Sequence, residues 1–270
     1  MCIVTVSRGS FSGAKAVAEG LAERLSVPCV SREILVEAAG TAGLSTRGLT
    51  EALERAPSFF ERASTERDTY MRFVRAALYR NATEGSFVYH GHDGHLLLDL
   101  PNVLRTRVVA PLEMRVEAVK ASLDLSEKDA ERHIAKIDGH RAKWTKYLYG
   151  VAWDDPLLYD AILNLEKMGV EGAIDLLADL ARSGQFEWTD ALRARASDQS
   201  LCAQVWSELA KVPETRITDL EIDAEGGVVV LRGNARSDEL RRMVVEAAEK
   251  VSDAQEIRNE ISIPSDVWRK

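Results

Sequence analysis

The sequence predicts an α/β fold, a parallel sheet flanked by helices, followed by a small C-terminal α+β domain. Three observations predict it. Short apolar runs alternate with helix-period segments through most of the chain. The first run feeds a Gly/Ser-rich loop that opens a well-marked helix. The last stretch, about 75 residues, switches to a helix, strand, strand, helix, strand pattern, enough for a small separate domain.

Taken in order, residues 2–6 read as a buried strand. Residues 9–13 read as the loop, and Val17, Ala18, Leu21, Ala22 and Leu25 as the apolar stripe of the first helix. Pro28 cannot continue that helix, and Cys29-Val30 reads as a short second strand. Residues 32–80 read as helical pieces, with Tyr70, Phe73, Val74, Ala77 and Leu78 on one face. Strands follow at 86–89 and 104–109. Ser126 and Asp129 open a long polar helix over 126–149 as a capping pair. Residues 159–164 read as the last strand of this sheet, with helices over about 168–183 and 188–211 by periodicity.

In the tail, strands 217–223 and 228–232 flank Ala224-Glu225-Gly226-Gly227, a hairpin signal. Leu240, Met243, Val244, Ala247, Ala248 and Val251 then form a helical stripe, and Ile257, Ile261 and Ile263 alternate as a strand.

The 270 residues are 46% apolar and 29% charged, an ordinary globular balance that supplies a full core. A net charge of −8 argues against broad nucleic-acid binding, which needs a basic face. Cys2, Cys29 and Cys202 are scattered, without metal-ligand spacing, as expected of thiols in a reducing compartment. With no leader pattern and no run of membrane-spanning length, the expected location is the cytoplasm.

The loop carries the chemistry. Gly9 and Lys15 stand at phosphate-loop spacing, with Ala14 where a second glycine is expected and Ala16 where a hydroxyl is expected. Consecutive main-chain N–H groups at a helix N-terminus converge on one point, and the helix dipole adds positive charge. A second candidate is the run His90-Gly91-His92-Asp93-Gly94-His95, which holds three of the five histidines. It can be read as a polar loop, an acceptor contact or a metal site of hydrolase type. On the long helix, Lys128, Arg132, Lys136 and His140 recur every four residues, as a lid stripe or a solvated face.

The stretch VSRGSFSGAKAVAEGLAERLSVPCVSREIL resembles the opening of the cytidylate kinase-like family: Ser7-Arg8 before the loop, Leu21 to Leu25, and Arg32-Glu33 after the short strand. FVYHGHDGHLLLDLPNVLRTRVVAPLEMRV and IDGHRAKWTKYLYGVAWDDPLLYDAILN resemble the family's later elements, so the likeness covers roughly residues 1–185. The resemblance implies a P-loop nucleoside monophosphate kinase fold with ATP and Mg²⁺ as cofactors. Gly9, Ser10, Ser12, Gly13, Ala14, Lys15 and Ala16 would cradle the nucleotide. Lys15 would stabilise the transferred phosphoryl group, with Arg132 and Arg141 as lid candidates and Asp138 as their polar partner in the lid. Arg32, His92 and Asp93 would face a nucleotide or other small phosphate acceptor. The sequence departs from the family at Ala16, at His92 in place of an arginine, and at Ser31 in place of an acid. Ala16 and His92 motivate an alternative: a nucleotide-binding sensor or pseudokinase that does not transfer phosphate.

Gly227-Val228-Val229-Val230-Leu231-Arg232-Gly233 and the late Ile257-Arg258-Asn259 resemble a BON domain. That likeness implies a binding or regulatory module, for a ligand, a membrane surface or a partner protein. The expected organisation is a kinase-like domain over 1–187 and a BON-like domain over 195–265.

Overall fold

The computed structural model describes residues 2–31, 65–91, 93–215 and 219–263. Arg32, His92, Ile217 and the helical pieces read within 32–64 lie outside the described residues. The chain forms two compact units, 1–64 with 85–188, and 65–84 with 189–270.

The first unit is built on a parallel five-stranded sheet. Strand β1 (Ile3–Arg8) is central, in the order β2 (Cys29–Ser31), β3 (Val88–His90), β1, β4 (Val103–Val109), β5 (Ala161–Asn164). The predicted strands are present, their ends shifted by one or two residues. Helix α1 (Ala14–Leu25) ends at Ser26 in the left-handed region, two residues before Pro28.

The two faces of the sheet differ. On one, Val4, Val6, Val88, Leu104 and Val108 pack with Val17 and Leu21 of α1 and with Ile174 and Leu177 of the helix Leu165–Arg182. On the other, alternation places Thr5, Ser7, Tyr89, Arg105 and Arg107 together, since these pair in register across β3, β1 and β4. A sheet buried on both sides should be apolar throughout. This polar face is therefore the departure that calls for a functional explanation.

Helix α2 (Thr65–Glu84) belongs to the second unit, and β3 follows it in the first. After β3 come a one-turn helix α3 (Gly94–Leu97), strand β4, and helix α4 (Leu112–Leu123), which the sequence reading did not assign. Helix α5 (Glu127–Tyr149) starts as predicted, with the Ser126 hydroxyl accepting the Asp129 N–H. Strand β5 leads into α6 (Leu165–Arg182), whose N-terminus is capped by Asn164 and which is interrupted at Gly169.

In the second unit, α2 packs along α7 (Asp190–Ala210). Phe73, Val74, Leu78 and Tyr79 of α2 are buried, and the Arg72 guanidinium lies 4.4 Å from the Trp206 ring centre. The rest is a three-stranded sheet of β6 (Glu221–Glu225), β7 (Val228–Asn234) and β8 (Glu256–Ser262), with α8 (Asp238–Ala248). Strands β6 and β7 are antiparallel around Gly226-Gly227, while β8 adds parallel to β7. Leu201, Val205 and Leu209 of α7 meet Val229, Leu231, Val244 and Ile261 in one core.

Candidate functional site

The loop from Gly9 to Gly13 leaves the C-terminal end of the central strand, where parallel sheets bind ligands. Gly13 is the N-cap of α1 at φ +83°, and no side chain caps the helix. The first-turn N–H groups are thus left for an anion. Ala14 is the first helical residue and is buried, so its methyl group is accommodated. The Ser12 hydroxyl is buried without a hydrogen-bond partner. Lys15 is 64% exposed, its ammonium 3.7 Å from Glu19 one turn along. Ala16 is exposed and offers no oxygen.

Two residues from other elements hold the loop. Arg115 of α4 donates from Nε to the Ser10 carbonyl at 2.7 Å and from Nη2 to the Ser10 hydroxyl at 2.9 Å. Asp138 of α5 accepts the Ser10 N–H at 3.0 Å and the Ser10 hydroxyl at 2.8 Å, and is ion-paired with Arg115. The Arg115 guanidinium also lies against Gly9, where a Cβ would stand 3.4 Å from its central carbon. Phe11, at φ +57°, packs on Val116, Val119, Ala130 and Ile134 and so anchors the loop on α4 and α5.

Helix α5 uses one face for these contacts. Arg141 donates to the Arg8 carbonyl at 3.3 Å, and the Thr145 hydroxyl to the Asp93 carboxylate at 2.7 Å. Asp138, Arg141 and Thr145 fall at i, i+3, i+7 and follow one side of the helix. Of the lysine and arginine stripe read from the sequence, Lys128, Arg132 and Lys136 are exposed, and Arg132 pairs with Asp129 at 2.9 Å. Asp138 and Arg141 are brought to the loop; Arg132 sits on the solvated side. Arg115 was missed, though Pro111 followed by Glu113 is a helix-start signal that could have found α4.

The sequence matches the cytidylate kinase-like family over residues 3–167, more than half the chain. The chain belongs to the cytidylate kinase-like family. Residues 197–265 match the BON domain. A cytidylate kinase of Methanosarcina barkeri is 26% identical over 187 residues, covering 64% of this chain and 93% of that protein. An uncharacterized protein from Eubacterium ventriosum, known from its crystal structure, superposes with a TM-score of 0.54 at 22% identity. It spans 68% of this chain and 99% of its own length, and shares the fold.

At the same C-terminal edge of the sheet as the loop, the turn after β3 is tightly built. A Cβ on Gly91 would lie 2.5 Å from the Tyr89 hydroxyl, and one on Gly94 would lie 2.2 Å from the same ring. The two glycines are there because the Tyr89 ring occupies the space. Asp93 between them is buried, at φ +62°. Such a left-handed non-glycine costs about a kcal/mol or more and is typical of functional turns. Among the described residues, no group of three or more His, Cys, Asp or Glu side chains could hold a metal ion. Nor is any described helix long and apolar enough to cross a membrane.

His95 follows this turn and is buried against the Tyr159 ring, 4.6 Å between centres. Burial, with Arg105 and Arg107 adding repulsion, lowers its pKa from 6.5 to about 4. As pH falls below 6.5 the unfolded chain takes up a proton that the folded chain refuses until about pH 4. Stability is therefore lost across that window. Between pH 7 and pH 5, wild type is expected to lose ~2 kcal/mol more than a His95→Phe variant. Urea midpoints at the two pH values check this, and equal losses refute it.

Proposed function

We propose that the protein is an ATP-dependent kinase that transfers a phosphoryl group to a nucleoside monophosphate or similar small acceptor. The observation that carries this is the uncapped N-terminus of α1 behind Gly13, at the end of the central strand, with helix α5 laid across the loop. The kinase-like family and its nucleotide-using relatives support the same reading.

The loop fits a polyphosphate. Its free helix N–H groups and the unpartnered Ser12 hydroxyl are donors for phosphate oxygens. Mg²⁺ bound with ATP would supply charge neutralisation; Ala16 could give it no ligand, so Ser12 is the unpartnered hydroxyl that the loop would offer. Lys15 reaches the phosphates by leaving Glu19, an exposed pairing worth only ~0.3–0.5 kcal/mol. Gly9, Ser10 and Gly13 let the backbone approach closely, while Ala14 and Ala16 begin the helix whose dipole faces the charge. Arg141 on α5 supplies positive charge beside the loop, Arg132 would have to leave Asp129 on the solvated side to add to it, and Asp138 with Arg115 positions the loop. Acceptor binding is assigned to Arg32, His92 and Asp93. The kinase domain spans 1–187, and the BON-like domain over 195–265 serves as a binding or regulatory module for a ligand, membrane surface or partner protein. The protein works in the cytoplasm, where ATP is available.

One observation favours a second reading, a nucleotide sensor without turnover. The Asp138 carboxylate accepts a loop N–H, so the protein's own anion stands at the loop. One assay separates the two: ATP-Mg²⁺ with a panel of nucleoside monophosphates, wild type against Lys15→Ala. Turnover that falls about 10²-fold or more in the variant is expected. Saturable ATP binding with no turnover selects the sensor, and absence of both overturns the nucleotide site.

A further inference from the structure

Two arginines project from the polar face of the sheet, and they differ. Arg105 is neutralised: its Nη2 is 2.8 Å from Asp160 Oδ1 and its Nε 3.1 Å from Oδ2. Arg107, two residues on, has no carboxylate partner among the described residues. Its Nη1 donates to the Trp153 carbonyl at 3.1 Å, and its guanidinium stacks 4.4 Å from the Trp153 ring centre. Its Nε is shielded from solvent and has no hydrogen-bond partner.

The neighbouring orphans gather on the same face. His95 is 5% exposed, and neither ring nitrogen has a partner. The Thr5 hydroxyl is buried and unpartnered, on the strand beside β4. Ser7 pairs in register with Arg107, and its hydroxyl is 3.3 Å from that of Tyr159. Ser7 lies two residues before Gly9, so this cluster borders the phosphate loop. Buried polar groups are ordinarily satisfied, and a shielded cation is ordinarily paired. A positive charge beside the orphaned His95 and Thr5, with the neighbouring Asp93 carboxylate already accepting from Thr145, is the complement of an oxyanion.

We propose that Arg107, His95 and Thr5 form the subsite that holds the anionic group of the phosphate acceptor. The proposal rests on the kinase reading and assigns residues to its acceptor side. The half-buried Arg107 guanidinium supplies the charge for the oxyanion while Trp153 and Tyr159 keep its plane fixed. His95 and Thr5 supply a neutral donor each, to a second oxygen or an adjacent hydroxyl. Both phosphate monoesters and carboxylates carry this chemistry.

The test combines calorimetry and kinetics on the full chain. Wild type, Arg107→Met, Arg107→Lys and the near-isosteric Thr5→Val are titrated with inorganic phosphate, a nucleoside monophosphate and citrate, and acceptor and ATP KM values are measured. In Arg107→Met the acceptor KM should rise about 10²-fold with ATP KM unchanged, and Arg107→Lys should recover part of the loss. Thr5→Val should raise it about 10-fold, which keeps the proposal testable if Arg107→Met does not fold. Weakened phosphate and monophosphate binding identifies a phosphate monoester; weakened citrate binding alone identifies a carboxylate. If wild type transfers phosphate and the variants keep its acceptor KM and anion affinities, the subsite is refuted while the kinase stands. If wild type transfers nothing yet loses phosphate binding with Arg107, the kinase reading fails and the anion site stands.

Discussion

Replacing Arg115 with methionine will destabilise the kinase-like unit by about 2 kcal/mol and loosen the phosphate loop. Arg115 and Asp138 are mostly buried, at 14% and 20% side-chain exposure, and between them they hold every polar group of Ser10. Removing one member of a fully buried pair costs ~3–5 kcal/mol; partial exposure here lowers that figure. The loss comes mainly from leaving the Asp138 carboxylate uncompensated. Adding Asp138→Asn to Arg115→Met should therefore restore much of the stability, a coupling that a double-mutant cycle measures. Function should divide differently. Asp138→Asn alone removes a negative charge from the loop, so ATP should bind more tightly while turnover falls, because the loop is held less firmly. Calorimetry with steady-state kinetics reads both. Additive stability losses, or weaker ATP binding in Asp138→Asn, would show that the pair does not govern the loop.

Gly233→Ala will cost at least ~3 kcal/mol in the C-terminal unit. Gly233 has φ +138°, and a Cβ there would stand 2.6 Å from the Asp219 carbonyl oxygen. The obstacle is main chain, which cannot turn aside as a long side chain does. The strain falls on β7, which carries the buried Val229 and Leu231 and pairs on both edges. Gly226→Ala is the control. It has φ +56° with no atom within 4 Å of an added Cβ, so only the left-handed cost of ~1 kcal/mol applies. Denaturation followed by Trp206 fluorescence, with limited proteolysis of 189–270, compares the two. Equal effects would sink the argument.

The site was legible unevenly. The strand, loop and helix around Lys15 follow from local pattern, because an apolar run, a Gly/Ser turn and a 3.6-period stripe are short-range signals. Helix α4 escaped because its pattern is blurred: Leu112, Met114 and Leu123 are each about half exposed, while only Val116 and Val119 are buried. Arg115 was lost with it. On α5 the helix itself was clear but its working face was not. The evenly spaced charges at 128, 132 and 136 are solvated, and the contacts are made by Asp138, Arg141 and Thr145. A charged residue signals a helix surface; which surface meets a loop depends on where the neighbouring elements lie.

By itself, then, the sequence determined the α/β pattern, the Ser126 cap and the phosphate-loop candidate, which are written in local periodicity and turn chemistry, while its resemblance to known families pointed to the kinase-like and BON domains. Only tertiary structure decided that α2 joins the C-terminal unit, that Arg115 and Asp138 clamp Ser10, and that Arg105 is neutralised by Asp160 while Arg107 is not. These are contacts between residues far apart along the chain. Their energies depend on register and packing, which no window of neighbouring residues contains.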